Sequence, residues 1–308
     1  MPQLSIVVPM YNEQEMTELF FERALPQAQR CTDDYEFIFV NDGSTDETLP
    51  RLKNLAAKNP RVKIVSLSRN FGKEAAVTAG LEAAQGGAVI IIDADLQDPP
   101  ELIFAFWEKF QQGFENVYGQ RTDRMADSFL KRTTAQIFYK IYNLFAVTPL
   151  PYNAGDCRLL SRRAVNAVLS LPERERFMKG LFSWVGYKSA AVPFARAPRA
   201  AGKTKWGYWR LWNFALNGLT ASTTIPLKLW TYFGGLVSLF AFAFAAWTAY
   251  KKIRWGNPVS GYTSLMVVIL FFSGVQLITL GVIGEYLSRI FIEVKRRPAY
   301  LVDEKINF

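Results

Sequence analysis

Short apolar runs alternate with amphipathic stretches through the first half of the chain. Leu4–Pro9, Phe37–Val40, Val62–Leu67 and Ala88–Ile92 are β-branched or aromatic runs of strand length, and they predict buried strands. Glu13–Gln29, Asp46–Lys58, Glu74–Gln85 and Pro100–Gln112 carry the wider apolar spacing of helices. Strands and helices in strict alternation predict an α/β domain, a mostly parallel sheet covered on both faces. Asn116–Gln120 reads as a fifth strand and Ser128–Phe145 as a long amphipathic helix. Pro149 and Pro151 break the chain, Ser161–Ser170 resumes as helix, and Lys188–Phe194 reads as a late edge strand.

The pattern changes after Pro198. Arg199, Lys203, Lys205 and Arg210 are interleaved with Trp206, Tyr208, Trp209 and Trp212, and Leu211–Thr224 is amphipathic. Aromatic and basic residues ahead of an apolar run suit a helix lying in the headgroup plane. Leu229–Tyr250 and Tyr262–Gly284 each have the length and apolarity to cross a bilayer core of about 30 Å. The linker Lys251–Gly261 is short and holds Pro258, so the two runs predict a transmembrane hairpin. The expected organisation is a catalytic domain over 1–200, juxtamembrane helices over 201–227, the hairpin over 228–285 and a cytosolic tail over 286–308.

Charge and composition narrow the function. The net charge is +9, but zinc-finger spacing, RNP-type aromatic motifs and long basic helices are missing, so lipid headgroups explain it better than nucleic acid. The chain has no histidine and two cysteines, Cys31 and Cys157, which excludes a His/Cys zinc site and any Ser-His or Cys-His pair. The start, Met1-Pro2-Gln3-Leu4, lacks the pattern of a signal peptide, and the first domain is expected to stay in the cytosol. Basic residues before the first run and after the second favour both termini on the cytoplasmic face of the inner membrane, against Lys251, Lys252 and Arg254 in the linker.

Asp93-Ala94-Asp95 closes the run Ala88–Ile92, at the sheet edge where open α/β domains bind ligands. Two carboxylates at that spacing suit a hard divalent cation, Mg²⁺ or Mn²⁺, which in turn suits a diphosphate. A sugar nucleotide is the diphosphate that fits a chain with membrane spans. Glu13 and Asp42 lie at the ends of two neighbouring strands, where they can accept hydrogen bonds from a base or ribose. Turn formation and helix capping compete with that reading for each turn taken alone.

Val8-Pro9-Met10-Tyr11-Asn12-Glu13, Asn41-Asp42-Gly43-Ser44-Thr45-Asp46, Ser68-Arg69-Asn70-Phe71-Gly72-Lys73 and Asp93-Ala94-Asp95-Leu96-Gln97-Asp98-Pro99-Pro100-Glu101 stand in the order that resembles glycosyltransferase family 2. With the hairpin, the chain is most similar to the polyprenyl-phosphate branch, the bactoprenol (undecaprenyl-phosphate) glucosyltransferases above all; dolichol-phosphate mannose synthase is a relative. The resemblance implies a GT-A fold and assigns roles. Pro9, Tyr11 and Glu13 would line the nucleotide pocket, Asp42 would contact uracil or ribose, Asp93 would contact the nucleotide or sugar side, and Gln97 would face the sugar diphosphate. Asp95 would be the main metal ligand, with Asp93 beside it. Gly155–Arg163 resembles the acceptor-side motif, which makes Asp156 the carboxylate at the usual position of a catalytic base. Arg121, Arg199, Lys203 and Lys205 would hold the lipid phosphate, and Cys157 would pack.

The implied reaction inverts the anomeric carbon, moving a hexose from a nucleotide sugar to undecaprenyl phosphate. UDP-glucose is the expected donor; mannose or a modified arabinose is the alternative, and the donor turn does not separate them. A processive polysaccharide synthase would need Gln-x-x-Arg-Trp and more spans. A scaffold or lipid translocator would not need Asp93, Asp95 and Asp156 together. Homo-oligomers with packed hairpins are expected, with small residues such as Gly234, Gly235 and Gly281 permitting close approach.

Overall fold

A computed structural model of the chain describes residues 2–122, 143, 148–149, 151–174, 176–195, 225–255 and 261–308. In chain order the elements are β1 (Leu4–Met10), α1 (Thr17–Cys31), β2 (Tyr35–Asn41), α2 (Thr48–Lys58), β3 (Val62–Leu67), α3 (Lys73–Ala83), β4 (Ala88–Ile91), α4 (Leu102–Gln111) and β5 (Asn116–Arg121). They continue with β6 (Ala154–Ser161), α5 (Arg162–Ser170), α6 (Met178–Trp184), β7 (Ser189–Phe194), α7 (Ile225–Trp255), α8 (Tyr262–Lys295) and β8 (Val302–Ile306). The chain divides into two compact units, Met1–Gly218 with Arg297–Phe308, and Leu219–Arg296.

Among the described residues, eight strands form one sheet in the order β7-β5-β6-β4-β1-β2-β3-β8. The β4-β1-β2-β3 block and the β5/β7 pair are parallel, while β6 runs antiparallel to both β4 and β5. The side-chain period of two along a strand splits β1 between faces. Leu4, Ile6, Val8 and Met10 join Phe20, Phe37, Phe39 and Phe106 under α1 and α4. Val7 joins Ile38, Val40 and the buried residues of α3, α5 and α6. At Gly80 of α3 a Cβ would meet Val7 Cγ1 at 2.2 Å, so this glycine is what lets α3 settle onto β1 and β2.

Three features depart from the expected layout. β6 was not foreseen, because Gly155-Asp156-Cys157-Arg158 breaks the alternation on which strand prediction relies. The expected tail continues as helix to Lys295 and then adds β8, antiparallel to β3, at the sheet edge. Tyr300 donates to Glu82 at 2.6 Å, Lys53 pairs with Glu304 at 2.6 Å, and Asn307 Nδ2 donates to the carbonyls of Ala56 and Val62. The two expected apolar runs are helical but longer than read, as α7 and α8. Among the described residues one segment, Phe271–Lys295, is long and apolar enough to cross a membrane, with mean hydropathy 1.4. The helices expected at Ser128–Phe145 and Leu211–Thr224 lie outside the described residues, apart from Asn143, which is helical.

Candidate active site

Parallel strands put their C-terminal ends on one edge, and the three polar turns meet there. The turns after β1 and β2 are laced together. Thr45 N donates to Asn12 Oδ1 at 2.8 Å, Asn12 N to Ser44 Oγ at 3.0 Å, and Glu13 N to Thr48 Oγ1 at 2.9 Å. Just ahead of α2, Asp46 accepts from Thr48 N at 3.0 Å and Thr48 Oγ1 at 2.6 Å. Asn12 sits at φ 51°, a left-handed conformation that asparagine tolerates. Much of the polar content of these turns is thus structural. Pro9 lies in the last turn-ward part of β1, and the Tyr11 ring is 36% exposed on the edge.

Asp42 is buried, at 3% exposure. Its Oδ1 accepts from Phe71 N at 2.7 Å and its Oδ2 from Gly72 N at 2.9 Å. Burial pushes the carboxyl above its ordinary value, with the two amides and Arg69 pulling back. Asp42 therefore holds the loop Ser68–Lys73 as its first task, which its expected role at the base or ribose did not include. Gly43 makes the contact possible. It has φ 62°, and a Cβ there would meet the Arg69 carbonyl carbon at 2.3 Å.

Beyond β4, partly exposed Asp93, Asp95 and Gln97 alternate with buried Ala94, Leu96 and Asp98. Gln97 N donates to Asp95 Oδ1 at 3.1 Å. Leu96 stands at φ 55°, where a bulky residue carries strain of about 1–3 kcal/mol. A buried leucine in that conformation fixes the turn and leaves the polar residues on the open side.

Asp156 reaches the same place through β6. The antiparallel register pairs Ile91 with Arg158, so two residues further along the strands Asp93 and Asp156 come opposite each other. Lys73, at the first turn of α3, joins them: its Nζ lies 2.6 Å from Asp93 Oδ2 and 2.9 Å from Asp156 Oδ2. Lys179 of α6 lies 3.0 Å from Asp156 Oδ1. Burial opposes the charge on Asp156, but Lys179 and Lys73 outweigh it and hold the carboxyl well below its usual range. Burial likewise opposes the Lys73 charge, and Asp156 and Asp93 overcome it, raising the ammonium above its ordinary value. Glu74 beside it is pushed up to about 7 by burial and by Asp156. Ion pairs at this partial exposure contribute about 0–1 kcal/mol each to stability.

The structure thus brings together Asp93 and Asp156, and sets Asp95 and Gln97 in the turn that follows. Cys157 is buried in the core, its thiol pushed well up by burial. Arg121 ends β5, its backbone amide donating to Asn153 O at 3.1 Å. Arg199, Lys203 and Lys205 lie outside the described residues. Sequence reasoning missed Lys73 and Lys179. Lys73 was visible as the last residue of the Ser-Arg-Asn-Phe-Gly-Lys loop; nothing in the pattern around Lys179 marks it.

The residues can hold a divalent cation. Asp93 and Asp95 offer hard oxygen ligands, and the chain has no histidine to favour softer metals. Among the described residues no group of three or more His, Cys, Asp or Glu side chains is placed to hold a metal ion, so further oxygens must come from a ligand.

Residues 5–169 match the family described as glycosyl transferase family 2. The chain belongs to that family. Residues 225–290 match the GtrB C-terminal hairpin. An uncharacterized glycosyltransferase of Synechocystis is 53% identical over 302 residues, covering 98% of this chain and 95% of that protein. The SfII prophage-derived bactoprenol glucosyl transferase of Shigella flexneri is 47% identical over 300 residues, 97% of each chain. A prophage bactoprenol glucosyl transferase homolog of Escherichia coli K12 is 46% identical over 97% of this chain and 98% of that one. The chain is therefore a glycosyltransferase, and its likeness to these relatives runs through the hairpin as well as the sheet domain.

Proposed function

We propose that the protein transfers glucose from UDP-glucose to undecaprenyl phosphate at the cytoplasmic face of the membrane, with inversion at the anomeric carbon. The observation that carries the chemistry is Asp156, the acceptor-side carboxylate, joined through Lys73 to Asp93 of the donor-side turn. Full-length similarity to bactoprenol glucosyl transferases supports the sugar and the lipid.

The transition state has oxocarbenium character, and negative charge grows on the leaving diphosphate. Asp95 and Asp93 would hold Mg²⁺ or Mn²⁺, which when bound supplies Lewis-acid stabilisation of that charge. Tyr11, Pro9 and Glu13 line the nucleotide end of the pocket. Asp42 acts from behind, through the backbone of Phe71 and Gly72, and offers its remaining lone pairs to the nucleotide. Gln97 faces the sugar diphosphate. The acceptor phosphate has a second pKa of about 6, so it is largely dianionic at neutral pH and needs little help losing a proton. Asp156, held ionised by Lys73 and Lys179, orients the acceptor rather than deprotonating it. Arg121, Arg199, Lys203 and Lys205 supply positive charge for the lipid phosphate.

The same reading takes α7 and α8 as a two-span hairpin with both termini cytoplasmic, in a homo-oligomer. The domain boundaries near 200 and 228 follow from it. The test is transfer of radiolabelled sugar from UDP-glucose, UDP-galactose and GDP-mannose to undecaprenyl phosphate in detergent. Mg²⁺ or Mn²⁺, EDTA and Asp95→Ala serve as controls. Metal-dependent glucosyl-lipid from UDP-glucose alone is expected. Labelled lipid from GDP-mannose alone would replace the donor, and none from any donor would overturn the reading.

A further inference from the structure

Lys73 occupies an unusual place for a cation. Its ammonium sits on Asp93 Oδ2 at 2.6 Å, an oxygen of the very turn that offers hard ligands to a divalent ion. A second anchor, Asp156 Oδ2 at 2.9 Å, keeps it there from the other side, and Asp156 is itself secured by Lys179. A divalent ion approaching Asp93 meets a positive charge already in contact with its ligand. It also finds no cluster of three acidic side chains among the described residues to compensate. Like charges at contact distance repel, and the two cations compete for this oxygen.

We propose that Lys73 closes the carboxylate turn to a bare divalent cation and gives up Asp93 only when a nucleoside diphosphate arrives. The diphosphate supplies what the turn lacks: oxygens for the metal and negative charge to draw the ammonium off. Lys73 then faces the diphosphate while staying within reach of Asp156. Metal and nucleotide bind as a mutually dependent pair, and Lys73 is the positioning residue that couples them. This inference rests on the donor-site reading above.

The experiment is a Mn²⁺ titration of the full chain in detergent, read by the electron paramagnetic resonance signal of free Mn²⁺, with and without UDP. Wild type, Lys73→Gln and Lys73→Arg are compared. Wild type is expected to hold Mn²⁺ weakly alone and much more tightly with UDP. Lys73→Gln is expected to bind Mn²⁺ alone about tenfold more tightly or better, as loss of one contact charge implies, with a smaller gain from UDP. Lys73→Arg keeps the charge and is expected to keep the exclusion. A side chain that merely braced the fold would lower Mn²⁺ affinity when removed. Mn²⁺ binding to Lys73→Gln no tighter than to wild type would overturn the proposal, while UDP-dependent Mn²⁺ binding in wild type would leave the donor-site reading standing. No UDP-dependent binding in wild type would overturn both.

Discussion

Gly43→Ala tests whether the active site is held by the close approach of two loops. The substitution makes two demands. An L-residue at φ 62° costs about 1–2 kcal/mol in backbone energy. The new Cβ would also stand 2.3 Å from the Arg69 carbonyl carbon and 2.5 Å from Asn70 N, both backbone atoms. Backbone cannot rotate away as a flexible side chain can, so the loop Ser68–Lys73 must shift. Asp42 would then lose at least one of its bonds to Phe71 N and Gly72 N. Hydrogen bonds to a charged, buried group contribute about 1.5–3 kcal/mol each. The expected loss is about 3–5 kcal/mol if one of the two bonds breaks.

Gly113→Ala is the control. Gly113 has φ 84° and nothing within 4 Å of its Cβ position, so only the backbone cost applies. The assay is thermal unfolding of the purified protein in detergent, together with the apparent KM for the nucleotide sugar. For a domain of this size about 1 kcal/mol shifts Tm by roughly 2–4 °C. Gly113→Ala should lower Tm by a few degrees with KM unchanged, and Gly43→Ala by roughly 6 °C or more with a KM raised about tenfold. Equal Tm losses and equal KM values in the two variants would refute the argument that loop contact positions Asp42 and Lys73.

Asp156→Ala should reduce turnover by at least about 100-fold while Mn²⁺-dependent UDP binding persists, measured by single-turnover transfer and by titration. Because Lys179 and Lys73 hold Asp156 below the usual carboxylate range, the pH–rate profile should show no acid limb from it near pH 4. Glu74 titrates near 7 when folded and near 4.5 unfolded, so the folded protein binds the extra proton between those values. Its stabilising contribution is present below about pH 4.5 and is lost as pH rises through 7, and Glu74→Gln should flatten the fall in Tm across that window. Ending the chain after Pro298 removes β8, strips the Tyr300–Glu82 and Lys53–Glu304 contacts and bares the edge of β3. Lower Tm and aggregation by light scattering are expected, whereas an unchanged Tm would show that the edge strand adds nothing.

The parallel core was legible because it obeys the simplest rule of the chain. The runs at Phe37 and Ala88 are uninterrupted, and those at Leu4 and Val62 are broken only by Ser5, Lys63 and Ser66, close to the pattern that burial on both faces requires. Asp93 and Asp95 were legible for the complementary reason: carboxylates directly after such a run can only stand at the sheet edge. β6 and β8 were not, since both carry charged residues within the strand, Asp156 and Arg158 in one and Asp303, Glu304 and Lys305 in the other. An edge strand tolerates charge because one side meets water, and β6 tolerates Arg158 because its guanidinium lies 4.1 Å from the Phe182 ring centre. Neither compensation has a local signature.

The same blindness explains the part of the site that sequence reasoning missed. Asp156 could be placed only by resemblance, since its partner strand was unforeseen and the antiparallel register sets it opposite Asp93. Lys73 and Lys179 belong to helices on different stretches of chain, and what joins them to the cluster is a distance of about one hydrogen bond to carboxylates 20 to 83 positions away. Periodicity reports which face of an element is buried, not which distant side chain meets it. A charge cluster assembled from four separate stretches of chain is therefore visible only in the fold. That it adds so little to stability is the reason to look for its purpose in the traffic of metal and nucleotide through the site.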